Sequence, residues 1–508
     1  MTEERPFPEY LAQLRVLMLN PPFLPRFSRA QRSPAVTKSG TLYYPIWLAY
    51  ATGVLEDAGC QVRLIDAPAD GTTLEQLREL VATWQPHLLV TDTSTPSFDS
   101  DMRVVQELKA VRPAVFCVSV GPHVSALPDE ALAGTPALDA VARHEYEYTL
   151  LELAKTLVAG GPLEGVAGLS FRRDGAVIHN PDRPFIEDLD ALPFVTRVYK
   201  THLNPLHYFY AITPYPQVAI VTGRGCPHRC VYCVYPQTFQ GRRYRYRSPA
   251  NVVAEFEYIA RELPYIKHVF IEDDTLTVNR ERCRELAERL RQARTGLTFT
   301  ANSRADVDYE TLKALKAAGC RMLCVGFESG DDDVLRQIRK GITTEQMKRF
   351  MRDARRAGIL VHGCFMAGCP GETRQSLART LELAKELNPD TAQFFPLMVY
   401  PGTEAYAWAE RSGYLRTRDF RRWVTEEGLH NCVVDLPGLP AEDLVAWCDE
   451  ARRQFYLRPR YIFSKLTQVT SHPDEFVRVV KAARSFLPFL FRPHTRRLLR
   501  RRHRATPE

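Results

Sequence analysis

The 508-residue sequence contains no apolar run of the ~18 residues that a membrane-spanning helix requires. Its opening, MTEERPFPEY, is acidic and broken by proline where a secretory leader would be basic and then apolar. Both absences lead us to expect a cytoplasmic protein. Positive charge is also missing from most of the chain. The net charge of +7 is matched by seven arginines between residues 492 and 504, a stretch without an acid. The remainder therefore sums to about zero, and a globally basic nucleic-acid binder is not indicated. A second tight cysteine cluster is lacking too. Of twelve cysteines, Cys60, Cys117, Cys283, Cys320, Cys324, Cys364, Cys369, Cys432 and Cys448 are scattered. In a reducing compartment such residues read as buried core thiols rather than disulfides.

The other three, Cys226, Cys230 and Cys233, fall in QVAIVTGRGCPHRCVYCVY, residues 217–235. A β-branched run ends in a Gly-Arg-Gly turn and delivers the spacing CxxxCxxC. Iron-sulfur clusters take thiolate ligands, usually four, so three close cysteines leave one iron open to a ligand from outside the protein. Structural zinc, with His228 as fourth ligand of a closed tetrahedral site, is the alternative.

The motif resembles that of the radical S-adenosylmethionine (SAM) superfamily, CxxxCxΦC with Φ aromatic, and Tyr232 stands at Φ. The resemblance implies a four-iron four-sulfur cluster on Cys226, Cys230 and Cys233 whose open iron is chelated by the amino and carboxylate groups of SAM. It further implies reductive cleavage of SAM to a 5′-deoxyadenosyl radical, with electrons from a donor such as flavodoxin or ferredoxin. The protein's own share is positioning, tuning and exclusion of water.

Ahead of this loop, short β-branched runs alternate with helical patterns at βαβ lengths over residues 10–158. That is the pattern of a doubly wound, Rossmann-like parallel sheet, which binds ligands outside the carboxyl ends of its strands. At those ends lie Asn20 and Pro21, then Thr93, Ser94 and Thr95, then Gly121, Pro122 and His123, and finally Glu145. They resemble the cobalamin-binding domains that precede radical SAM domains in one large subfamily, where such residues line the nucleotide tail and corrin edge. The better-known cobalamin motif, DxHxxG after the first strand, is missing; that turn reads NPPFLP. No His from this loop is therefore expected on cobalt, and His123 and His144 are the nearest candidates. A sheet binding another nucleotide-like cofactor is the alternative.

Residues 159–205 read as a linker with a hairpin turning at Asp174-Gly175. From residue 206 to 415 the βα pattern restarts and repeats six times, with strands expected near 217–223, 268–273, 297–303, 322–328, 360–366 and 391–399. Six units make an open, partial (β/α)6 TIM-like barrel whose site lies at the carboxyl ends of its strands. Glu272, Asp273 and Asp274 close the second strand. In the family the segments matching the fourth and fifth strands contact the ribose and methionine part of SAM, which implies Glu328, Ser329, Gly330, Gly363, Gly368, Pro370 and Gly371; Asn302 and Arg304, closing the third strand, and Tyr232 are expected beside them. Asp273, Asp274 and Glu372 have a plain alternative as helix-cap or first-turn acids.

Residues 416–508 read as a mainly helical cap and basic tail. An apolar stripe (Phe476, Val479, Val480, Ala483, Leu487), then SFLPFLF, then the arginine run suit the surface of an anionic membrane, with a solvated tail as the alternative. The expected function is that of a cobalamin-dependent radical SAM enzyme methylating an unactivated carbon of a small-molecule or lipid-like substrate. Alternatives are radical cyclisation or oxidation in the same architecture, or a zinc- or RNA-binding module. An RNA methylthiotransferase would bring an upstream cysteine cluster, and only Cys60 and Cys117 lie in the first 200 residues.

Overall fold

The computed structural model describes residues 7–471 together with Arg484. The amphipathic stripe and arginine run expected at the carboxyl end thus lie outside the described residues. Two large sheets organise the chain, the second wholly parallel and the first parallel except at one edge. The first contains β1 (Arg15–Asn20), β2 (Gln61–Asp66), β3 (Leu88–Asp92), β4 (Phe116–Val120), β5 (Ala140–Ala142), β6 (Leu169–Arg173) and β7 (Ala176–His179), in the order β2-β1-β3-β4-β5-β6-β7. The first five are parallel, as βαβ crossovers demand. β6 and β7 form the expected hairpin, and β6 pairs antiparallel with β5. The segment read as a linker is therefore in part the edge of the first sheet, because strand pairing across the chain is invisible to local pattern.

The second sheet starts with β8 (Gln217–Ile220). A small antiparallel pair follows, β9 (Gly223–Arg224) with β10 (Arg245–Tyr246), and then β11 (His268–Ile271), β12 (Thr298–Ser303), β13 (Cys320–Glu328), β14 (Leu360–Ala367) and β15 (Thr391–Pro396). Its order β15-β14-β13-β12-β11-β8 is sequential and unclosed, a six-stranded open barrel. Helix starts are set locally: Thr73 with Gln76, Thr343 with Gln346 and Thr373 with Ser376 cap reciprocally. The helix Ala441–Tyr456 packs on the β15 edge, where Arg452 donates to Phe394 O at 2.9 Å.

Residues 21–45 form an irregular strap between β1 and the helix Ile46–Asp57. It leaves the first sheet and crosses to the barrel and the carboxyl-terminal region. Lys38 pairs with Asp449 at 2.6 Å, Val36 N donates to Gly428 O at 2.8 Å, and Ser33 Oγ lies 2.8 Å from His430 Nε2. A connection this long without regular structure is uncommon in compact domains and usually serves a site. Beyond it, Tyr44 OH donates to Gln217 O at 2.8 Å, and Tyr50 OH exchanges 3.3 Å hydrogen bonds with the Val221 backbone. One apolar core runs continuously from β1 through the barrel to the carboxyl-terminal helices.

Candidate active site

β8 is wholly buried, and Val221-Thr222 directly after it launch the cysteine loop. Asp273 anchors that launch, accepting from Thr222 N at 2.6 Å and Thr222 Oγ1 at 2.7 Å. It is thus a loop anchor rather than a helix cap. Arg224, just before the loop, reaches into the first domain. It lies 2.7 Å from Glu147 Oε1 and stands over the rings of Trp47 and Tyr50 at 5.1 and 5.0 Å. Cys230 is buried, with Cys226 and Cys233 half-buried beside it.

Burial pushes the Cys226 thiol up to about 11, with Asp274 and Cys230 acting in the same direction. Cys233 is likewise held well above the usual range by burial, Asp274 and the other two thiols, with Arg32 opposing. A bound metal cluster would offset this by favouring the thiolate form, which fits cluster ligation. Among the described residues no three His, Cys, Asp or Glu side chains close on a point as a single ion needs.

The barrel mouth gathers two charged groups. In the first, Tyr232 OH donates to Glu328 Oε1 at 3.0 Å, and Lys340 Nζ donates to the same oxygen at 2.8 Å. Gly326 makes room for this triad: a Cβ there would lie 2.1 Å from Glu328 Oε1 and 2.8 Å from Lys340 Nζ. Glu328 itself has φ +67°, a left-handed backbone rare for its type, at a bulge between β13 and β14. In the second group, Arg32 of the strap binds Glu272 at 2.9 Å and Asp274 at 3.0 Å. Glu272 Oε2 and Asp274 Oδ2 are buried without a hydrogen bond. The Asn302 amide, close enough to favour the Glu272 carboxylate, donates instead to Asp273 O at 3.0 Å.

The remaining barrel residues divide. Arg304 donates to Lys340 O at 2.6 Å and so braces the Glu328 group. Ser329 and Gly330 turn to the neighbouring helix Arg374–Leu387, where Gly330 N donates to Thr380 Oγ1 at 2.9 Å. Gly363 faces Phe327 and Pro389 rather than the lumen. Gly368, Pro370 and Gly371 form the turn after β14, in which Glu372 accepts from Gly368 N at 3.2 Å. Burial pushes Glu372 up to about 7. Two cysteines depart from the expected core role. Cys324 and Cys364 are half-buried, on strand positions that face the lumen, in the field of Tyr43 and Glu272. Arg32, Lys340 and Gly326 were not singled out by sequence; Lys340 follows a short helix with no motif around it, and Arg32 sits in patternless strap.

At the first sheet's strand ends, one arginine organises the polar groups. Arg29 binds Asp101 Oδ1 at 2.5 Å and Asn20 Oδ1 at 2.7 Å, while Asn20 donates to Asp66 at 2.7 Å. Thr93 Oγ1 and Ser97 Oγ donate to Asp101 Oδ2 at 2.8 and 2.6 Å, and Ser94 Oγ lies 2.8 Å from Ser97 Oγ. Burial lifts both Asp66 and Asp92 to about 7. His123 Nδ1 lies 3.2 Å from Thr95 Oγ1, and burial holds this imidazole down to about 3. Gly121 has φ +116°, and a Cβ there would come within 2.6 Å of Thr93 O.

A narrow cleft of about 20 Å³ opens over these ends, lined by Ser94, Thr95, Pro122, His123 and, from the barrel, Val234, Tyr235 and Tyr400. Its donors and small residues suit the edge of a large flat cofactor. Its volume is smaller than a corrin with its tail, so the walls must part to admit one. Pro21 is buried beside Asn20. Glu145 does not face the cleft. Its oxygens each lie 2.7 Å from Arg245, and Oε2 also accepts from Ile186 N at 2.8 Å, so this acid joins the two domains. His144 is also occupied, its Nδ1 2.9 Å from Thr238 O.

Residues 32–154 match the B12-binding domain family and residues 220–384 the radical SAM superfamily. An uncharacterized methyltransferase of Pyrococcus horikoshii is 32% identical over 84% of this chain and 91% of its own length. The chain belongs to the cobalamin-binding radical SAM superfamily. Anaerobic magnesium-protoporphyrin IX monomethyl ester cyclase of Rubrivivax gelatinosus is 29% identical over 71% of this chain and 65% of its own. The fold is shared with the radical SAM methyltransferase TsrM of Kitasatospora setae, at TM-score 0.66 and 19% identity, covering 88% of this chain and 89% of that one. This superfamily member is an enzyme that uses a four-iron cluster, SAM and cobalamin. No helix among the described residues is long and apolar enough to cross a membrane.

Proposed function

We propose that this enzyme transfers a methyl group to an unactivated carbon of a small-molecule or lipid-like substrate. One observation carries the reading: Val234 and Tyr235, directly after the cysteine loop, line the same cleft as Ser94, Thr95, Pro122 and His123. Chemistry begun at the loop and a group held over the first sheet thus share one space. When bound, the cluster with SAM supplies a hydrogen-abstracting radical and cobalamin supplies the methyl group. In this reading Cys226, Cys230 and Cys233 hold the cluster. Glu328, fixed by Tyr232 and Lys340, accepts from the ribose hydroxyls of SAM. The open oxygens of Glu272 and Asp274 accept from its ammonium. Asn20, Thr93, Ser94, Thr95, Gly121, Pro122 and His123 form the floor under cobalamin.

Electrons come from an external donor such as flavodoxin or ferredoxin. The deciding experiment is anaerobic turnover of cell extracts with methyl-labelled SAM. Label in a new carbon-bound methyl group supports transfer. Similarity to the cyclase favours a second reading, ring closure or oxidation, and 5′-deoxyadenosine formed with no label in product would select it. If the substrate is lipid-like, the arginines between residues 492 and 504 bring the enzyme to an anionic membrane surface. Co-sedimentation with anionic and neutral vesicles, using the full chain and a truncation after His472, tests this. Equal, negligible binding by both proteins removes it.

A further inference from the structure

We propose that Arg32 is a positioning residue that sets the reduction potential of the cluster, and that it does so only while the strap of the cobalamin domain is seated on the barrel. The inference rests on the assignment of the cluster to Cys226, Cys230 and Cys233. Its basis is where this one guanidinium stands. Every nitrogen of it is used across the domain boundary. Nη1 donates to Glu272 Oε1 at 2.9 Å, Nε donates to Asp274 Oδ1 at 3.2 Å, and Nη2 donates to Asp274 Oδ1 and Asp273 O, each at 3.0 Å. The fork therefore wraps the carboxyl end of β11.

The same group lies 5.3 Å from the centre of the Tyr235 ring, two residues past Cys233. Tyr235 OH in turn donates to Ala30 O of the strap at 2.6 Å. The strap and the segment just after the last cysteine are thus held together from both sides. Its neighbours on the strap, Gln31 and Pro34, line the cleft over the first sheet. The strap is the wall between the cleft and the barrel mouth, and Arg32 is its charge on the barrel side.

The electrostatic consequence follows from the signs. Glu272 and Asp274 have side chains only 6% and 3% exposed, and among the described residues no other cation forms an ion pair with either. Both acids follow β11 at its carboxyl end, and β11 pairs with β8, the strand that delivers the cysteine loop. Reduction adds one negative charge to a cluster, and it is favoured by nearby positive charge and resisted by nearby negative charge, most strongly where water is excluded. With Arg32 seated, one of the two negative charges is offset. With the strap lifted, both bear on the cluster alone, and the cluster is harder to reduce. A barrel whose cobalamin domain is not in place is thereby disfavoured from cleaving SAM without a methyl acceptor path.

The test is a redox titration of the anaerobically reconstituted full chain, followed by paramagnetic resonance, with iron and sulfide counted in each sample. Arg32→Met is expected to keep the four-iron complement and move the midpoint potential to a more negative value. Arg32→Lys is expected to stay near the unaltered protein. Arg32→Met combined with Glu272→Gln restores the local charge and is expected to return most of the shift, which a merely structural loss would not do. An unchanged midpoint in Arg32→Met, or a double variant that stays at the Arg32→Met value, overturns the proposal. Should Arg32→Met fail to hold its iron, Glu272→Gln alone decides: a shift to more positive potential supports the proposal, and no shift overturns it. A wild-type chain that takes up no four-iron cluster would instead overturn the cluster assignment, and Arg32's role with it.

Discussion

Arg29 and Arg32 are three residues apart on one strap, yet they serve opposite kinds of site. Arg29 and its partner Asp101 both have fully buried side chains, and Asn20, Ser97 and Thr93 complete a network with few open positions. Arg32 is 30% exposed, and its two acids each keep an oxygen with no partner. The first sheet's strand ends are finished before any ligand arrives, and they offer shape and close backbone approach. The barrel's strand ends are unfinished, and a ligand completes them. A closed polar network suits a cofactor that stays; open acceptors suit one that is consumed and replaced.

The comparison can be broken in order of expected effect. Replacing Cys226, Cys230 and Cys233 together by Ala should abolish the cluster's charge-transfer absorption and all SAM cleavage while leaving the first sheet's ligand site intact. Retained cleavage in the triple variant would sink the cluster assignment. Next, Arg29→Met leaves Asp101 buried without its cation and should cost about 3–5 kcal/mol in denaturant unfolding. Arg32→Met should cost clearly less, because its acids lie at a mouth that a ligand reaches; equal losses would erase the distinction. Third, Gly326→Ala places a Cβ against Glu328 and should weaken SAM binding about tenfold, ~1.4 kcal/mol, with iron content unchanged. Equilibrium dialysis with labelled SAM reads this directly.

The smallest effect is a pH dependence. Burial raises Asp66 to about 7, so the folded state holds this proton more tightly than the unfolded one. The associated stability is fully present below about pH 4, where both states are protonated, and is lost as pH rises towards 7. Asp66→Asn removes that loss. Its melting temperature relative to the unaltered protein should therefore be higher at pH 8 than at pH 5 by a few degrees. An identical difference at both values would show that Asp66 ionises freely in the fold.

Much of this architecture was legible because its signals are local. The CxxxCxxC loop after an apolar strand, the six βα repeats and the small residues at strand ends each declare themselves within a few positions. What sequence left hidden is non-local. The hairpin Leu169–Arg173 and Ala176–His179 reads as a linker until β5 pairs with it. Glu145 reads as a cleft residue until Arg245, a hundred positions on, claims it. Cys324 and Cys364 read as core thiols because alternation along a strand does not say which face is the lumen. Gly363 and Gly326 sit in equally glycine-marked strands, and only packing assigns one to Phe327 and the other to Glu328. The strap carries no periodicity at all, so Arg32 could not be told from any surface arginine.

The helix Ile46–Asp57 is buried from Ile46 through Leu55. One side rests on β1 and β2, and the other meets Val221, Arg224 and Tyr235 of the barrel through Tyr50 and Trp47. That sharing orders events during synthesis. When the first sheet leaves the ribosome, Trp47 and Tyr50 on this helix still lack their barrel partners, which lie roughly 170–190 residues further along. At about 5–20 residues per second they wait on the order of ten seconds or more. A nascent chain stalled at residue 205 is expected to bind holdase chaperones and be cut near Trp47, with protection appearing only once residues 217–271 have emerged. The two halves are therefore not separable modules: expressed alone, either would carry an uncovered half of the same helix interface into solution.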